Sequence, residues 1–171
     1  ITHHRVLSGQ SAPVVQAAPT ARLRNALPPL RGGLLLHDGC IETSMPQDVT
    51  DPPYFAAFVL PQDLARCALI RTHYSRFVAQ AKDAGTGLIM EIPTWRAHRD
   101  RGEPLGYSGA ETEQANRDAV ALLEAIRASE TDLQLVISGC LGPRNDDCFV
   151  DELMSVEQAH DYHTAQIRVL A

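Results

Sequence analysis

Three short segments concentrate the residues able to do chemistry: His37-Asp38-Gly39-Cys40, Glu91-Ile92-Pro93-Thr94-Trp95 and Ser138-Gly139-Cys140. Each follows an apolar run, and two of them carry a cysteine. Cys40, Cys140 and His37 have the donor types of a zinc site, which takes three or four such ligands. The opposing expectation is that cysteine packs as a small hydrophobe and that His37 ends a strand. On that ground no metal ligand is assigned. Cys67 falls on a helical stripe and is expected to be packing, whereas Cys148 lies in a polar loop as a free thiol. Asp38 carries a carboxylate beside a glycine, and an aspartate there commonly bonds the local backbone. His160 and His163 stand one turn apart, but no carboxylate completes a motif such as HExxH, so both are expected at the solvent surface. Arg96, Arg99, Asp100, Arg101 and Glu103 mix both signs and read as a solvated loop, as do Arg144, Asp146 and Asp147.

The elements that must position these segments alternate short β-like runs with longer helical patterns, the signature of βα units around a parallel sheet. The first strand is expected at Gly33 to His37, a continuous apolar run suited to a strand covered on both faces. A long Pro-rich loop follows. The next helix should open near Pro61 and carry Leu64, Cys67, Ala68, Tyr74, Phe77, Val78 and Ala81 along one stripe, stopping at Gly85. The second strand is expected from Gly87 to Ile92, ended by Pro93. Ser108 and Glu111 form a capping-box pattern before a helix with Ala115, Ala119, Leu122, Leu123 and Ile126 on one side. The third strand is expected from Leu133 to Ser138. Ser155 and Gln158 then cap a last helix through about Leu170. Residues 1–20, rich in Ala, Pro, Ser and Gln, are expected to form a flexible tail.

Composition limits the function classes. With 44% hydrophobic and 21% charged residues the chain has a globular balance, and it has no apolar run long enough to cross a bilayer. A formal net charge of −6 leaves no surplus of Lys and Arg to neutralise phosphates, which argues against nucleic acid as a partner. The four scattered cysteines form no CxxC pair, so a reducing, cytoplasmic setting is expected.

Several blocks together resemble one family. LLLHDGCIET is similar to the Asp-Gly-Gly loop of the homocysteine S-methyltransferases. The likeness continues through DPPYFAAFVL, GLIMEIPTWRAHRDRGEPLGYS, the helix containing Asn116, VISGCLGPRNDD and ELMSVEQAHDYHTAQI, in the family's order and spacing. It covers about residues 21–171. The resemblance implies an α/β fold, a parallel (β/α) barrel of TIM type, of which residues 21–171 would supply the N-terminal part with roughly the first three βα units. Such barrels usually need about 250 residues. It also implies transfer of a methyl group from a sulfonium or ammonium donor, such as S-methylmethionine or S-adenosylmethionine, to the thiol of homocysteine, giving methionine. In the family a zinc ion held by three cysteines turns that thiol into a thiolate, the reactive nucleophile.

Carried over by position, the resemblance assigns substrate binding to Asp38, which would take the amino acid's ammonium, and to Gly39, whose backbone would admit it closely. Thr94 and Trp95 fall on the second loop, with a hydroxyl and an aromatic face that could hold a methyl-onium group. Packing at the barrel rim is the competing expectation for Trp95. The chain departs from the pattern at Cys40, where a second glycine is common, and at Pro93, where others carry Asn. The family's zinc cysteines lie in its C-terminal half and have no counterpart in residues 1–171. The alternative expectation is therefore a truncated, non-catalytic half barrel that binds an amino acid or self-associates through the open sheet edge.

Overall fold

A computed structural model describes residues 33–44, 56–62, 64–145 and 153–171. The expected tail, most of the Pro-rich loop, Asp146, Asp147 and Cys148 lie outside the described residues. The described chain is α/β, with three parallel strands in sheet order β1-β2-β3: β1 (Leu35–His37), β2 (Gly87–Glu91) and β3 (Leu135–Ser138). The α-helices are α1 (Ile41–Ser44), α2 (Leu64–Asp83), α3 (Arg99–Gly102), α4 (Gly109–Ser129) and α5 (Val156–Leu170).

All three strands are shorter than their apolar runs. Gly33, Leu34, Ile92, Leu133 and Gln134 fall outside them, although the Ile92 amide still donates to the Ser138 carbonyl at 2.9 Å. Parallel register pairs Leu36 with Leu88 with Leu135, and Met90 with Ile137, on the face that packs against the helices. On the opposite face His37 pairs with Ile89, and Glu91 with Ser138. The expectation of a strand covered on both sides is met in part: Leu35 and Leu36, on opposite faces, are both half-buried and Leu34 is exposed. Gly87 is needed where the strands meet closely, since a Cβ there would lie 2.3 Å from Leu35 Cδ2.

The helix-side core unites Ile70, Tyr74 and Val78 of α2, Leu88 and Met90 of β2, and Leu122 and Leu123 of α4. The stripe expected on α2 is corrected at its start. Pro61 sits in a 3-10 turn (Ala57–Gln62) before the helix, Leu64 and Ala68 are exposed, and Ile70 and His73 are buried instead. That turn packs against both α2 and α4, which displaces the first turn of α2 outward. Cys67 packs beside the core as expected. Gly85 ends α2 at φ +63°, with the Thr86 amide donating to the Ala81 carbonyl at 3.0 Å and the Gly85 amide to that of Lys82 at 3.1 Å.

The helix starts follow the sequence. Ser108 and Glu111 form a reciprocal capping box on α4, and Ser155 and Gln158 form another on α5. All five residues of the expected α4 stripe are buried. No helix among the described residues is long and apolar enough to cross a membrane.

Candidate functional site

The C-terminal ends of parallel strands are where an α/β sheet gathers its loops. Here they gather carboxylates. Asp38, the first residue after β1, is only 1% exposed, and both its oxygens accept the Glu91 amide at the end of β2, at 3.2 and 3.3 Å. Burial pushes its carboxyl up from an ordinary 3.8 to about 6, against the lowering effects of that amide and of His37. Glu42, on α1, is also buried, and desolvation raises its carboxyl. Glu91 keeps 29% of its side chain exposed, while its carbonyl accepts the hydroxyl of buried Tyr74 at 2.5 Å.

His37 ties the group together. Gly39, at φ +73°, aims its amide at His37 Nδ1, 3.0 Å away. Nδ1 is thereby the acceptor, so the proton of a neutral ring sits on Nε2, 3.8 Å from Glu91 Oε2. Asp38 Oδ1 lies 3.4 Å from Nδ1. Of the strand-end residues set out from the sequence, Asp38, Gly39 and Glu91 fall in this group, whereas Glu42 was not among them.

Both strand-end cysteines lie beside carboxylates. The Cys40 thiol donates to Glu42 Oε2 at 3.1 Å, and the charge of Glu91 acts on the Cys140 thiol. Burial first, and the neighbouring carboxylates second, push both thiols upward, Cys140 far more than Cys40. A metal-binding cysteine needs the opposite environment. Among the described residues no three or more His, Cys, Asp or Glu side chains are placed to hold a metal, so the residues present do not fit the zinc site that the resemblance implies.

Thr94 and Trp95 join loops. Thr94 is fully buried: its hydroxyl donates to the Cys140 carbonyl at 2.9 Å, and its carbonyl accepts Gln166 Nε2 at 2.7 Å. The Trp95 carbonyl accepts the Gly142 amide at 2.9 Å, and Gly142 is packed so tightly that a Cβ would meet that carbonyl at 2.3 Å. Arg96 already covers the Trp95 ring, its guanidinium 4.4 Å from the centroid. The structure thus brings Asp38 and Gly39 into the carboxylate cluster and links Thr94 to it through Cys140.

A separate cavity of about 600 Å³ lies between α4 and α5, lined in part by His98, Thr112, Asn116, Tyr162 and Gln166. His98 is neutral at physiological pH, because burial drops its imidazole to about 4. The cavity walls mix Arg99 and Arg144 with Glu113 and Asp161, so it has no single charge sign, and the strand-end cluster is the better candidate site. The loop expected to be solvated is partly ordered here, with Arg144 Nε 2.7 Å from Asp100 Oδ2. His160 is exposed as expected. His163 is not: it is half-buried, packed edge-on against Tyr162.

The sequence model of the homocysteine S-methyltransferase family matches residues 35–171, which is most of the chain. No curated protein and no solved structure matches it.

Proposed function

Because the chain belongs to the homocysteine S-methyltransferase family, we propose that its strand-end cluster holds the amino-acid substrate of a methyl transfer to the homocysteine thiol. The product would be methionine, and the donor a sulfonium or ammonium compound of the S-methylmethionine or S-adenosylmethionine kind. The observation that carries this reading is the convergence of Asp38, Glu42 and Glu91 at the strand ends. Carboxylates crowded in a low dielectric favour an organic cation as their neighbour.

Glu91, the partly exposed member, is positioned to accept the substrate ammonium, with Asp38 holding the Glu91 backbone in place from below. Gly39, exposed and without a side chain, leaves room for the substrate to approach the backbone. Thr94 and Trp95 form the wall that joins the second and third strand-end loops. The family generally depends on zinc, which when bound converts a thiol to a thiolate. Cys40 and Cys140 are not assigned to that ion. The described strands correspond to three units of the barrel that the family resemblance implies, and a closed barrel belongs to this proposal.

Titration calorimetry of homocysteine into the chain tests the reading. A charge-assisted hydrogen bond contributes about 1.5–3 kcal/mol, so Glu91→Gln is expected to weaken binding about tenfold to a hundredfold. Equal affinity in wild type and Glu91→Gln would overturn the site assignment. Methyl transfer from S-methylmethionine and S-adenosylmethionine, with zinc supplied, separates the two donors.

A further inference from the structure

Two cysteines sit in the mouth where, on the reading above, a methyl cation equivalent is handed to a thiol. A cysteine thiolate there would compete with the substrate: its electron pair would form a new S–CH₃ bond as the methyl–sulfonium bond breaks, releasing a neutral thioether and leaving a dead S-methylcysteine. Cys40 is exposed, so access does not protect it. Its chemistry does. The thiol proton is directed at Glu42 Oε2, 3.1 Å away, and Glu42 is itself buried at 8% exposure. Removing that proton would leave two anions in contact, one of them the buried Glu42 carboxylate.

We propose that Glu42 is a specificity residue that keeps Cys40 as a thiol, so that a methyl donor reacts with the substrate thiol and not with the protein. The inference rests on the functional reading for its purpose, but the protonation lock is testable without turnover. Only the thiolate is alkylated at an appreciable rate. The pH profile of Cys40 alkylation by iodoacetamide, read by peptide mass spectrometry on the intact folded chain, is expected to lie at higher pH than that of the same cysteine in urea. At about pH 8, Glu42→Gln, which keeps the volume and removes the charge, is expected to speed Cys40 alkylation about tenfold, the ratio that one pKa unit produces. Cys67, packed beside the core, should keep its wild-type rate and so report on folding.

Incubation with S-methylmethionine should then methylate Cys40 in Glu42→Gln and spare it in the wild type. A folded-state profile at or below the unfolded one overturns the lock, as does an unchanged Cys40 rate in a Glu42→Gln chain whose Cys67 rate is preserved. A lock that holds while homocysteine neither binds nor is methylated would instead count against the functional reading.

Discussion

The two ends of α2's contacts show opposite uses of burial. Along the helix-side core, Ile70, Val78, Leu88 and Leu123 exclude water, so burial stabilises in proportion to apolar area. A few ångströms on, the same exclusion acts on Asp38 and Glu42 and raises the energy of their charged forms. Tyr74 spans the boundary, its ring in the core and its hydroxyl on the Glu91 carbonyl. The apolar region holds the fold together, and the polar region is held by it at a cost.

The comparison is tested most strongly by Leu123→Ala, which empties a fully buried position and is expected to cost about 2–5 kcal/mol in urea unfolding. A cost below about 1 kcal/mol would mean that this core is too loose to hold strained carboxylates. Next comes Asp38→Asn. Because the folded carboxyl is raised above its unfolded value, its contribution to stability is complete below about pH 4 and is lost as pH rises through about 6. Wild type should therefore lose up to about 3 kcal/mol relative to Asp38→Asn between those limits, seen as a urea midpoint that falls more steeply with rising pH in wild type. Parallel curves would break the contrast. The smallest effect belongs to the bridge: Tyr74→Phe keeps the ring and removes one hydrogen bond, for about 1–2 kcal/mol. It sharpens the comparison if homocysteine affinity also falls while α2 stays folded by circular dichroism.

How much of this was legible depended on whether the signal was local. Both capping boxes, the α4 stripe and the Gly85 stop are written within a few residues of where they act, and the sequence located them. The start of α2 was misread because the 3-10 turn at Ala57–Gln62 takes the place against α4 that Leu64 and Ala68 would otherwise fill, which is a long-range fact. At the site, Asp38 and Gly39 were marked by their pattern. Glu42 was not, because a carboxylate on a four-residue helix looks like surface until burial is known. The bond from Cys40 to Glu42 and the cover that Arg96 gives Trp95 are equally invisible without coordinates.

Sheet order equal to chain order also shapes how the molecule is made. Each strand pairs with the one synthesised before it, across crossovers of about fifty and about forty residues, whose closure entropy grows only slowly with length. The chain can therefore add one βα unit at a time as it leaves the ribosome, with β2 templating β3 as β1 templated β2. Such stepwise growth is slow, because parallel pairing is non-local, and it leaves the newest strand edge open to a wrong partner until the next unit arrives.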